Sequence, residues 1–184
     1  MRLDEDTLLA LLPEISDIKD TVLREKVVQI WQEACEDGNV KAPEKVPKNL
    51  KNTCYTLINH TRMVARLCIT AAQLAMERHR IDANLDYLLA GALLHDVSKL
   101  LEIGADGKEH FATEFGKKIQ HGFYAAYKAY EKKLPLEIQH ILVSHTPQSA
   151  IMPQSIEAVI LYNIDQTDTE ILNQSLGIPL SPKR

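Results

Sequence analysis

The chain has little of what would tie it together covalently or hold it in a membrane. It has three cysteines, Cys35, Cys54 and Cys68, an odd number without a CxxC pair. No disulfide framework is expected, and a reduced intracellular protein is the natural reading. The longest uncharged apolar run, residues 67–76, is well short of the roughly 20 residues a bilayer-spanning helix needs. No charged-then-apolar start resembles a signal peptide. A cytoplasmic location and no membrane partner are therefore expected. Nor is charge of one sign massed anywhere: 21 lysines and arginines are scattered among 25 acidic residues, for a net charge of −4. A nucleic-acid polymer is thus not the expected partner, whereas a nucleotide needs only a few cations. Internal repeats, low-complexity tracts and convincing alternating strands are also missing.

What is there is helical spacing, in a chain of 184 residues that suits one domain with a substantial core. Asp4 or Asp6 can cap a short helix that stops near Pro13. Asp20 can cap a second over 21–36, ended by Gly38. In that second helix Leu23, Val27, Ile30, Trp31 and Ala34 recur at spacings of three and four, and the lone Trp31 reads as core packing. Residues 37–49, with Pro43, Pro47 and several lysines, read as a linker or surface loop. The organisation expected is a helical extension and linker over 1–50, a main unit over 51–173, and a tail over 174–184, frayed from Gly177 onward. The apolar stripe around Trp31 suits either a cover for a pocket or a homodimer contact.

In the main unit, Asn52 or Thr53 starts the longest pattern, running to about residue 80. Leu57, Val64, Leu67, Cys68, Ala71, Ala72 and Ala75 form its apolar face. Asp82 or Asn84 caps a helix over 85–101, in which Gly91 and Ala92 allow close helix contact. Residues 104–110 read as a turn-rich surface loop near the site, and Thr113 as the start of a short helix. His121 opens a tyrosine- and alanine-rich helix. Pro135 suits the first turn of the next, where Ile138, Ile141, Leu142 and His145 share a face before Thr146-Pro147 ends it. Ser155 caps the last long helix, with Ile156, Val159 and Ile160 apolar and Asp165 late in it. The fold class expected is all-α, a bundle of about six to eight helices.

The chemistry centres on residues 88–103, LLAGALLHDVSKLLEI, which hold the adjacent pair His95-Asp96 with Lys99 one turn on. Imidazole and carboxylate are both ligands of first-row metals, and a cation one turn away can hold an anionic substrate oxygen. His60 alone would read as a packed or capped histidine. Downstream, however, the order runs His60, His95-Asp96, His121, His145, Asp165, with each gap about one helix plus a turn. Successive side chains could then converge in a bundle core. Asp165 follows the apolar run AVILYNI, where a carboxylate is costly to bury unless paired or metal-bound. Six ligands exceed what one tetrahedral ion needs and suit two ions bridged by one carboxylate, with Asp96 central enough to be the bridge. Asp168 competes with Asp165, which is preferred because it directly follows the apolar run. His79 and His110 sit among charges and read as solvated. His140 lies about 140° round the helix from His145. Arg62 and Arg66 read as solvated, and Tyr124 as packing able to line a pocket.

This pattern resembles the HD-domain superfamily of metal-dependent phosphohydrolases, which carries the order H…HD…D. The strings that carry the resemblance are ALLHDVSKLLE, the upstream NHTRMVA and the apolar-flanked downstream aspartate. The further pair, His121 in QHG and His145 in LVSHT, resembles the subset with a binuclear centre. The resemblance implies an HD-domain helical bundle in which His60, His95, Asp96 and Asp165 hold one metal and Asp96, His121 and His145 a second. Lys99 matches the substrate-contacting lysine of the family's HDxGK string, although Ser98 stands where that string has glycine. No GYP motif follows, so cyclic dinucleotide cleavage is not expected.

The expected activity is hydrolysis of a small phosphorylated metabolite or nucleotide by a hydroxide formed at the metals, with Asp96 orienting and Lys99 neutralising developing charge. No serine or cysteine nucleophile is called for. The nitrogen-rich ligand set favours two divalent transition-metal ions, iron or manganese first, with zinc, cobalt or nickel next and magnesium behind. The rivals are a mixed-valent di-iron oxygenase of the myo-inositol oxygenase type and a non-catalytic HD binding module.

Overall fold

A computed structural model describes residues 3–107 and 109–179. The expected fraying at the end of the tail lies partly outside these residues. Among the described residues, seven α-helices of seven residues or more form the bundle: α1 (Glu5–Leu11), α2 (Thr21–Asp37), α3 (Leu57–His79), α4 (Leu85–Leu94), α7 (Phe123–Glu131), α8 (Leu136–Ser144) and α9 (Ile156–Ser175). Two short ones, α5 (Lys99–Glu102) and α6 (Glu114–Lys118), lie between α4 and α7. The all-α class holds. None of the described helices is long and apolar enough to cross a membrane.

Short polar side chains start these helices as the sequence implies. Asp4, Asp20, Asn84, Thr113 and Ser155 each accept a hydrogen bond from a first-turn backbone N–H, satisfying donors that have no partner within the helix. For α3 the cap is Thr56, several residues later than expected.

Helix α4 is the hub. Residues 88–94 are all buried, and the helix packs against α2, α3, α8 and α9. Gly91 makes the α4–α8 contact possible: a Cβ there would sit 2.6 Å from Ile141 Cγ2. The N-terminal helices feed the same core. Trp31 is fully buried and its indole N–H donates to the Leu93 carbonyl at 2.9 Å. Leu8, Leu12, Ile15 and Ile18 belong to the same cluster. The Trp31 stripe is therefore buried inside the chain.

Several local expectations are corrected. Two antiparallel hairpins form where no strand was expected: β1 (Pro47–Asn49) with β2 (Asn52–Thr56), and β3 (Ile103–Asp106) with β4 (Glu109–Ala112). The first takes the last three residues of the linker and the start of the long helix, and the second takes most of the loop over 104–110. The helix expected over 85–101 breaks after Leu94, and residues 95–98 form a turn before α5. His121 precedes α7, and Gly122 at φ 85° makes the turn into it. On α3 the expected Leu57, Val64, Cys68 and Ala72 are buried, joined by Ile58, His60, Thr61 and Ala65, whereas Leu67, Ala71 and Ala75 are only half-buried. On α9 the buried stripe is Ala158, Leu161, Asp165 and Asp168, while Ile156 and Val159 are exposed. The helical period holds there, but the buried face is turned by a residue and carries two carboxylates.

Candidate metal centre

The break after α4 builds the site. Its last turn delivers His95, whose N–H still bonds Gly91 O, and the following turn swings Asp96 inward. Ser98, fully buried, accepts a hydrogen bond from Ala125 N at 3.2 Å and so fixes the turn against α7. A glycine in its place would lack that tie.

Around this turn the structure brings together His60 from the first turn of α3, His121 from the turn before α7, His145 at the end of α8 and Asp165 from the middle of α9. His60, His95, Asp96 and His145 are essentially inaccessible to solvent. The candidate ligand atoms of His60, His95 and Asp96 lie within 4.8 Å of one another, and so do those of Asp96, His121 and His145. Asp96 belongs to both triads and offers one oxygen to each: Oδ2 is 3.3 Å from His60 Nε2, and Oδ1 is 2.8 Å from His121 Nε2. Asp165 Oδ1 adds to the first triad, 3.1 Å from His60 Nε2 and 3.9 Å from His95 Nε2. Lys99 Nζ lies 3.5 Å from Asp96 Oδ1.

All four imidazoles point Nε2 inward, and each Nδ1 faces an outer acceptor. His95 Nδ1 meets Ala92 O and His145 Nδ1 meets Leu142 O, both at 2.8 Å. His60 Nδ1 meets Asp168 Oδ2 at 2.6 Å, and His121 Nδ1 meets Glu102 Oε1 at 2.8 Å. A carbonyl only accepts, so His95 and His145 carry their proton on Nδ1 and aim a bare Nε2 lone pair inward. Burial, together with neighbouring imidazoles, depresses the pKa of His145 to about 3, and burial lowers that of His95, so both stay neutral. Buried lone pairs aimed at each triad beside two carboxylates form a donor set suited to divalent transition metals, and outer partners that orient the rings are typical of metal-binding histidines.

The carboxylates are ionised. Burial works against their charge, but Lys99 and the surrounding imidazoles outweigh it and hold Asp96 well below the usual range, and His60 does the same for Asp165. Burial likewise opposes the Lys99 ammonium, yet Asp96, Glu102 and Asp165 keep its pKa above the ordinary lysine value.

The remaining candidates lie elsewhere. His140 Nε2 accepts from Gln154 N and anchors the loop after α8. Arg62 is not simply solvated, since its Nε bonds the buried Glu14. Tyr124 donates to Asp37 at 2.7 Å. The sequence reading missed the outer partners Asp168 and Glu102 and the buried Lys48, which lies 3.9 Å from Asp165 Oδ1 and donates to Thr169 Oγ1. Only Asp168 carried a signal, as the rival to Asp165 three residues on.

A family model described as "HD domain" matches residues 57–170. The dihydroneopterin 2',3'-cyclic phosphate phosphodiesterase of Methanocaldococcus jannaschii is 31% identical over 172 residues, covering 88% of this chain and 68% of the relative. No solved structure matches significantly.

Proposed function

This chain belongs to the HD-domain family of metal-dependent phosphohydrolases, and on that premise we propose how its residues divide the work. It is a hydrolase of a small phosphorylated metabolite. In our reading, His60, His95, Asp96 and Asp165 hold one divalent metal, and Asp96, His121 and His145 hold a second. The observation that carries this reading is Asp96, with its two oxygens turned to different triads. Metals there supply Lewis acidity, polarising a phosphoryl oxygen and acidifying a water. Lys99 holds its ammonium beside Asp96, where it binds phosphoryl oxygens and offsets the charge that builds on them. Asp168, Glu102 and the two backbone carbonyls keep the imidazoles aimed.

The substrate class we favour is a cyclic phosphodiester of a small metabolite, as in the relative's name. Nitrogen-rich coordination favours iron or manganese over magnesium. The three free cysteines fit the reducing cytoplasm.

The test is a panel of phosphomonoesters and 2',3'-cyclic phosphates, assayed anaerobically with manganese, iron, cobalt, zinc or magnesium. Hydrolysis without oxygen is expected, and Asp96→Ala loses both bound metal and turnover. Retention of metal and rate by that variant overturns the site assignment. Oxygen consumption with iron alone would favour the oxygenase.

A further inference from the structure

The β1–β2 hairpin precedes the segment matched by the family model, which begins at Leu57. It nevertheless reaches the centre. Tyr55, on β2, donates from its hydroxyl to Asp168 Oδ1 at 3.1 Å. The other oxygen of Asp168 accepts from His60 Nδ1 at 2.6 Å. The Tyr55 and His60 rings also meet edge to face, with centroids 6.1 Å apart. The hydroxyl is a dependable donor, because burial and the Asp168 charge push its pKa well up. The open end of the hairpin is tied to α3. Leu57 N donates to Val46 O at 2.8 Å, and Thr56 caps α3, the helix that carries His60. From β1, Lys48 donates to Thr169 Oγ1, whose hydroxyl in turn donates to Asp165 O at 3.0 Å.

We propose that Tyr55 is a positioning residue for the metal centre, acting through Asp168 on His60. Without it, one carboxylate would be left to choose among rotamers. The phenol fixes one Asp168 oxygen, so the other stays aligned with Nδ1 and the His60 Nε2 lone pair stays aimed at the first metal. Partners one step beyond the ligands typically matter by about 10- to 100-fold in metal affinity. The inference rests on the metal reading above.

The test is cobalt(II) binding to the full chain, followed by chelator competition and by the visible absorption of bound cobalt. The variants are Tyr55→Phe, Asp168→Asn and their combination, with Thr53→Ala as a control at an exposed position on the same strand. Tyr55→Phe keeps the ring and removes only the hydroxyl, and circular dichroism checks the fold. Asp168→Asn, which alters the group bonded to the ligand itself, should weaken cobalt binding by about 10-fold or more, and Tyr55→Phe, one step further out, should weaken it by a smaller but measurable factor with a changed spectrum. Thr53→Ala should be unchanged, and Tyr55→Phe should add nothing once Asp168→Asn is present. Wild-type affinity and spectrum in Tyr55→Phe overturn the proposal, as does full additivity with Asp168→Asn. Should the wild-type chain bind no cobalt, the metal reading itself fails.

Discussion

Protons compete with metals for the same ring nitrogens. In the metal-free chain, burial opposes the charged forms of His60 and His121, and Lys99 opposes that of His121 as well. Their carboxylate neighbours nonetheless win, raising the pKa values to about 10 and about 9. Both rings are therefore cationic at neutral pH, whereas His95 and His145 are neutral. A metal arriving at Nε2 of His60 and His121 must displace those protons. Because the raised values favour the protonated forms, affinity falls as pH drops and climbs with pH until about 9 to 10. Calorimetric titration with manganese in buffers of different ionisation enthalpy would count the protons. We expect about two released per chain at pH 7 when both triads fill, and none if the two rings were already neutral. The six converging side chains were legible in the sequence because His-Asp is adjacent and each other member lies about a helix away. Their outer partners were not. Asp168 was visible only as a rival to Asp165, not as a partner of His60 108 residues away, and neither Glu102, 19 residues before His121, nor Tyr55, 113 before Asp168, stands in a pattern that marks such a role.

At the level of elements, local chemistry announced the helix starts, since a Ser, Thr, Asp or Asn ahead of an apolar stripe has one dominant use. The hairpins went unseen for an equally physical reason. Their strands are three to five residues long, and β2 has no buried residue to impose alternation. Backbone pairing and connections to α3 and α5 hold them in place of a hydrophobic face. Where α4 crosses α8, the contact turns on one missing side chain. A Cβ on residue 91 would overlap Ile141 Cγ2, and both helices carry candidate ligands just past their ends. Gly91→Ala should cost about 1–3 kcal/mol by overpacking. Ile141→Ala should cost about 2–5 kcal/mol by leaving a cavity. Together they should cost less than the sum, because each offsets the other's defect. Urea unfolding of the four proteins measures this, and strict additivity would mean that the helices separate instead of colliding.

On the scale of the whole molecule, the six converging residues come from α3, the turn after α4, the turn before α7, the end of α8 and the middle of α9. Metal binding therefore adds a further tie between elements that already pack on one another, α3 on α9 and α8 on both α7 and α9. The N-terminal helices share that core through Trp31, whose partner Leu93 lies two residues before His95. Loss of the core should thus take the centre with it. A ligand that binds only the folded state adds about 2.7 kcal/mol at a hundredfold excess over its dissociation constant. For a chain of this length each kcal/mol moves Tm by about 2–4 °C. Each site that manganese fills at that excess should then raise Tm by about 5–10 °C, and a chelator should reverse the shift. Asp96→Ala separates the shared site from incidental binding. Losing the one carboxylate common to both triads should abolish nearly the whole shift, while loss of His145 alone should leave the part due to the His60–His95–Asp165 half. Equal shifts in wild type and Asp96→Ala would place the stabilising metal outside this centre. A shift unchanged by His145→Ala would leave a single ion, held by the first triad.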